Sequence, residues 1–389
     1  MAPIYVLFWF DVEDYITSQA DDTVKGLIGT FDAQGVRATC KLVGEKLRVL
    51  ERRGRGDIIE LLRRHDVGYH TDFHSRHPTV AEYLADKGWD EGAAEFARRG
   101  QPAYEDILRV FGRAPACYGH PAGSWAPQVF PVLKEWGSPL YLDEAGHTGL
   151  DEQPFWYCGV LNVFRLRENC TRASLGGGPE ALQKAKQELT RIIAPLRPIG
   201  VVSVYYHPCE FIHSRFWDGV NFAHGANPSP GERQPVPLKA QGEIEEGFRR
   251  FAQYLAFVRD QPGVEILTAH CDGVCGAVAR SGDEAAVHQP GDLPSRLAQA
   301  MQEEITWCRA GEATLSPAEV FGLVVGCAGG IWRAGKASRQ AVPSSPLAGA
   351  DGESTSTGSG GALCDSGPPE GVRRGETGIG SERTAAKCR

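Results

Sequence analysis

No apolar run in the 389-residue chain approaches the roughly 20 residues needed to span a bilayer, so the sequence holds no candidate transmembrane helix. A basic excess is missing too. The formal net charge is -8, which argues against a nucleic-acid or anionic-membrane surface. The N-terminal apolar stretch is short, Ile4 to Phe10, with no basic residue before it and acids directly after it. That pattern is a buried strand rather than a signal peptide, and it predicts a cytoplasmic protein. The eleven cysteines include no CxxC pair. An odd, scattered set in a chain without an export signal predicts buried free thiols rather than a disulfide framework. The nearest pair, Cys271 and Cys275 beside His270, lacks further partners at zinc-ligand spacing. Internal repeats are absent as well. What remains is 42% apolar and 23% charged residues, enough for one large globular domain or two ordinary ones.

Along the chain, strand and helix patterns alternate. Ile4 to Phe10 is apolar on both faces, as in a fully buried strand. Asp22 reads as the N-cap of an amphipathic helix from Thr23 to about Gln34, closed by Gly35. Ala38 to Val43 is a second strand, Glu45 to Arg53 and Asp57 to His65 are helices, and Asp66 to Tyr69 is a third strand. This order at this spacing is the signature of parallel βαβ units. Thr79 to Phe111 is helical, Ala116 to Gly119 is a fourth strand, and Pro127 to Trp136 is a helix with proline in its first turn. Leu140 to Leu142 is a fifth strand, Pro154 to Leu166 is β-like, and Pro179 to Leu196 is helical. Gly200 to Tyr206 is a strongly β-branched and aromatic strand, Gln241 to Phe257 a helix, and Val264 to Leu267 the last strand. The alternating strand-and-helix domain therefore spans residues 1–276. Residues 277–328 follow as a helical extension, with helices expected at Asp292 to Trp307 and Ser316 to Val325. Residues 329–389 are rich in Gly, Ser, Pro and Thr, and predict a disordered tail.

The chemistry gathers at strand ends. His70 and His74 stand four residues apart after the third strand; on a helical turn that spacing puts both imidazoles on one side, as two ligands of one divalent metal require. Asp11, Glu13 and Asp14 follow the first strand directly. If both strands are parallel, these clusters share one rim of the sheet, where α/β folds place their chemistry. The loop His120-Pro121-Ala122-Gly123-Ser124-Trp125 follows the fourth strand, Asp143 and Glu144 the fifth, and His207 the strand Gly200 to Tyr206.

Taken in this order, the clusters resemble the polysaccharide deacetylases of carbohydrate esterase family 4, the nodulation-deacetylase homology domain. His70-Thr71-Asp72-Phe73-His74 matches that family's H-S/T-x-x-H motif at every defined position. Phe10-Asp11-Val12-Glu13-Asp14 looks like a variant D-x-E-D form of its acidic motif, and Val204-Tyr205-Tyr206-His207-Pro208 resembles its late histidine motif. Two departures stand out. Gly119 occupies the place of the arginine in the R-x-P-x-G loop, and D-x-x-D-W has no clear match, Asp143 and Glu144 being positional candidates only. The resemblance covers roughly residues 4 to 270.

It implies a distorted (β/α) barrel of about seven parallel strands and metal-dependent hydrolysis of an N-acetyl group on an amino sugar or polysaccharide. A divalent ion, zinc foremost, with Co, Ni, Fe or Mn as alternatives, would be held by His70, His74 and a carboxylate. Glu13 is the expected third ligand, because an i, i+2 side chain of an extended segment returns to the same face as Asp11; Asp14 is the rival if the chain turns sharply. Asp11 is then the base and His207 the acid. The Ala122 N–H is an oxyanion donor by analogy with the family's loop, and His120, Pro121, Gly123, Trp125, Asp143 and Glu144 are candidate substrate contacts. Other readings stay open: a small cyclic amide as substrate, or a carbohydrate-binding protein that has lost catalysis. Asp72 either orients a ligand or faces solvent. Trp125, Trp156 and Trp217 are either sugar-stacking platforms or core. His77 pairs with His74 by spacing but precedes Pro78, and Cys209 lacks a base–orienter pair for a nucleophile.

Overall fold

The computed structural model describes residues 4–143, 154–164, 170–172, 178–194, 200–270, 273–279, 308–310 and 313–315. Its centre is strand β1 (Ile4–Val12), buried on both faces as its continuous apolar run requires. Strand β2 (Thr39–Leu42) pairs with the upper half of β1 and β3 (Asp66–Tyr69) pairs with β2, both parallel. On the other side β8 (Gly200–Tyr206) runs parallel to β1 from Ile4 to Phe10, and β7 (Cys170–Arg172) runs parallel to β8. Strand β9 (Val264–Leu267) takes the lower half of β1, from Ile4 to Leu7, beneath β2. Beyond β3, single parallel bridges from Tyr118 to Tyr69 and to Tyr141 carry the pairing on to β4 (Leu140–Asp143). Strand β4 pairs parallel with β6 (Val160–Phe164), which forms an antiparallel hairpin with β5 (Phe155–Tyr157). The result is the expected distorted (β/α) barrel. The strand expected at Ala116 to Gly119 is reduced to the bridges of Tyr118.

Alternation along the strands sorts the side chains. Leu7 and Trp9 of β1 join Cys117, Leu142, Val163, Val201 and Tyr205 in an inner cluster. Val6, Phe8 and Phe10 instead pack outward with Phe31, Phe251 and Tyr254 of the surrounding helices. Those helices are α1 (Gln19–Ala33), α2 (Gly44–Arg52), α3 (Gly56–Leu62), α4 (Val80–Leu84), α5 (Trp89–Phe111), α6 (Val129–Glu135), α7 (Pro179–Ile193), α8 (Asp218–Asn221), α9 (Gln241–Arg259) and α10 (Val274–Ala279). None in the described residues is long and apolar enough to cross a membrane.

Three expectations need correction. Helix α1 begins a turn before Thr23, so Asp22 is a first-turn acid suited to the helix dipole, not the cap. The helix expected over Thr79 to Phe111 is two: a capping box of Thr79 and Glu82 starts α4, and Gly88 starts α5. Strand structure also continues past Gly276, as the antiparallel pair β10 (Cys308–Ala310) and β11 (Ala313–Leu315). The helices expected at Asp292 to Trp307 and Ser316 to Val325, and the tail from 329, lie outside the described residues. Cys40, Cys117, Cys209 and Cys275 are buried free thiols, as expected.

Candidate metal centre

Asp11 and Glu13 leave the end of β1 two residues apart, and their carboxylates meet the two histidines at one rim. Glu13 Oε2 lies 2.8 Å from His74 Nε2 and 3.6 Å from His70 Nε2. These three donor atoms fall within 4.8 Å of one another, and all three residues are buried. The histidines are not on a helical turn, contrary to the spacing argument. The segment after β3 is irregular, with Thr71 at φ 60° and His74 at φ 55°. Thr71 stabilises this path by accepting the His74 N–H on its Oγ1, at 3.1 Å, while its carbonyl accepts the Gly44 N–H at the start of α2. The rings still meet, with centroids 5.0 Å apart.

Each ring is turned by its other nitrogen. His70 Nδ1 lies 2.9 Å from the Gly119 carbonyl, which can only accept, so Nδ1 carries the proton. His74 Nδ1 is 2.5 Å from Ser75 Oγ, whose own hydrogen goes to Asp218 Oδ2 at 3.0 Å, so this Nδ1 also donates. Both Nε2 atoms therefore face Glu13 and need a proton or a metal ion between themselves and the carboxylate. Burial opposes the Glu13 charge, but attraction from His74 and His207 and hydrogen bonds with both ligand-type histidines outweigh it and hold this carboxyl well below its usual range. Glu13 Oε2 is the oxygen turned to the two histidines, whereas Oε1 accepts the Trp217 indole N–H at 2.6 Å. Two oriented imidazoles and one ionised carboxylate oxygen are a donor set that fits a zinc-type divalent ion.

Asp14 lies apart from that triad. Its Oδ1 accepts the backbone N–H groups of Ile16 and Thr17, and its Oδ2 is 3.3 Å from His213. Beside the triad, Asp11 Oδ2 stands 3.8 Å from His70 Nε2 and 3.7 Å from His207 Nε2. His207 follows β8 and hydrogen-bonds Glu210 Oε1 through Nδ1 at 2.6 Å. Burial pulls its pKa down, but the Glu13 charge, the Glu210 hydrogen bond and the Asp11 charge overcome this and raise it to about 9. These neighbouring carboxylates favour the imidazolium form of His207.

The remaining candidates divide. His120 is buried and hydrogen-bonds the Tyr141 hydroxyl at 2.8 Å, with Asp143 Oδ2 at 4.0 Å. In the loop after it, Pro121 is buried, Ala122 and Gly123 are exposed, and Ala122 has φ 46°. Trp125 is half-buried against Phe130. Asp143 is buried and paired with Lys41; Glu144 lies outside the described residues. Asp72 orients no ligand, pairing instead with Arg48 at 2.8 Å. Trp217 is wholly buried and serves Glu13, so it is not a sugar platform. His77 pairs with Glu82 away from the triad. Sequence reasoning missed Ser75, Asp218, Glu210 and Lys41, and it gave Trp217, one of its core candidates, no role beside Glu13. Only Lys41 left a signal, a lysine inside an otherwise apolar strand.

Neither the protein-family models nor the curated proteins include a match to this sequence. Solved structures do match. The Xyl-CE4 domain of a multidomain xylanase from the hindgut metagenome of Trinervitermes trinervoides is 10% identical, with 72% of this chain and 93% of that one covered and a TM-score of 0.38. Puue allantoinase is 11% identical over 68% and 86% of the two chains, with a TM-score of 0.44. A family 4 carbohydrate esterase from Streptomyces lividans, in complex with acetate, is 13% identical over 68% and 92%, with a TM-score of 0.34. Carbohydrate esterases of family 4 and an allantoinase are thus among the solved structures to which this chain is similar.

Proposed function

We propose that this protein is a metal-dependent hydrolase of a non-peptide C–N bond, removing the N-acetyl group of an amino sugar or polysaccharide. One observation supports this above all: the convergence of Glu13 Oε2, His70 Nε2 and His74 Nε2, with Asp11 and His207 directly beside them. Glu13, His70 and His74 would hold a divalent ion, zinc by preference, which would supply a Lewis acid for the amide carbonyl and for water. Asp11 Oδ2 is the base that takes the proton of the attacking water. His207, held charged by Glu13 and Glu210, donates from Nε2 to the departing nitrogen. The loop from His120 to Trp125, with the Ala122 N–H as an oxyanion donor, borders the substrate.

The test is the metal content of the purified protein beside a His70→Ala/His74→Ala variant, followed by acetate release from chitin oligosaccharides. About one zinc per chain, absent from the variant, together with acetate release is the expected result. No metal in either protein after reconstitution would sink the mechanism. Metal without acetate would remove the sugar substrate; release of a ring-opened product from a cyclic ureide would then replace it, and turnover of neither would favour a carbohydrate-binding protein that has lost catalysis.

A further inference from the structure

Lys41 sits in the middle of β2 with its side chain wholly buried, a costly place for an ammonium unless every hydrogen finds an acceptor. Here Nζ hydrogen-bonds Asp143 Oδ2 at 2.9 Å and the Leu142 carbonyl at 3.1 Å, and forms an ion pair with Asp11 Oδ1 at 3.0 Å. It also lies 4.3 Å from the centre of the Trp9 ring, on the side of the barrel interior. Asp11 and Lys41 are register partners on β1 and β2, and Lys41 is in turn the register partner of Gly68 on β3.

The glycines around it explain how a lysine fits. A Cβ on Gly68 would come within 3.1 Å of Lys41 Cγ and 2.5 Å of Cys117 Sγ. A Cβ on Gly119 would stand 2.2 Å from Lys41 Nζ and 2.5 Å from Asp143 Oδ2. The ammonium therefore fills the very volume into which any side chain at 119 would grow. Gly119 also supplies the carbonyl that orients His70. One glycine thus serves the metal triad through its backbone and the acid–base pair through its missing side chain.

We propose that Lys41 is the positioning residue for Asp11, a cation brought from β2 into the space that Gly119 leaves open. This rests on the reading of Asp11 as the base. With Oδ1 fixed on Nζ, Oδ2 is left turned toward His70 and His207, where a water would be deprotonated. Asp143 holds the far side of the ammonium, so it acts on Asp11 through Lys41 and is itself a positioning residue rather than a catalytic one.

Two variants separate this from a purely structural role. Lys41→Met removes the cation and leaves two buried carboxylates facing each other. Lys41→Met/Asp143→Asn removes one of those acids as well, relieving the repulsion while leaving Asp11 in place. If Lys41 positions Asp11, both variants keep the zinc stoichiometry of the wild type, and kcat for acetate release from chitin oligosaccharides falls about 100-fold with KM little changed. The crystal structure of the zinc-loaded double variant then shows the Asp11 carboxylate rotated away from His207. If Lys41 merely neutralises Asp143, the double variant recovers the wild-type kcat and Asp11 stays where it is, which overturns the proposal. Should the wild type release no acetate, the proposed function fails on its own, and the position of Asp11 in that crystal structure still decides the role of Lys41.

Discussion

The two halves of the rim are built on opposite principles. Around the metal triad, the orienting partners of the imidazoles are neutral or relayed: a carbonyl for His70, and a serine hydroxyl backed by Asp218 for His74. Around Asp11 and His207 they are charged and direct, Lys41 for the one and Glu210 for the other. The difference follows from what each half must do. A metal ligand has to keep a lone pair free, so its second nitrogen is steered without forcing a second proton onto the ring. A proton-transfer pair needs its charge states fixed before substrate arrives, which nearby charges accomplish.

That contrast can be broken from either side. The largest effect is expected at Asp11. Asp11→Asn should lower turnover by about 1,000-fold, within the usual range for a general base, and leave metal content unchanged. If metal analysis shows the ion lost, Asp11 belongs to the other half of the rim and exchanges roles with Glu13. Next comes Trp217→Phe, which removes the indole N–H that Glu13 Oε1 accepts. Zinc affinity measured by chelator competition should weaken about tenfold, with kcat of the fully loaded protein largely kept. Ser75→Ala should act in the same direction through His74.

Smaller again is Glu210→Gln. An acid must be protonated to work, so kcat/KM should decline as pH rises through the His207 value near 9. Removing the Glu210 charge destabilises the imidazolium, so the decline moves to lower pH; a limb that stays fixed would assign it to another group. Asp72→Asn should do least. Its partner is Arg48 and it touches neither histidine, so zinc content and turnover should match the wild type.

Much of this layout can be read in the sequence, for physical reasons that differ by element. The bounds of β3, β8 and β9 follow from short apolar or β-branched runs between clear breakers, and the structure keeps them unchanged. The cluster of Glu13, His70 and His74 is legible because its residue types sit directly after strands whose parallel pairing brings them to one edge. Helical spacing does not account for His70 and His74. Their meeting depends on positive φ at Thr71 and His74 and on a carbonyl 49 residues away, and no local periodicity encodes that. Glu13 over Asp14 was favoured by strand alternation, and the structure adds what alternation cannot show, that Asp14 is engaged by the turn leading into α1. Trp217 and Asp218 reach the triad from more than 140 residues downstream, so only the tertiary fold reveals them.

Beneath the rim, Trp9 and Tyr205 lie stacked with their ring centroids 4.8 Å apart, inside the barrel on adjacent strands. Together with Leu7, Val201 and Leu142 they give the interior a floor. Side chains thus fill the interior, and under the proposed function a substrate group would meet Asp11 and His207 at the strand ends rather than within the barrel.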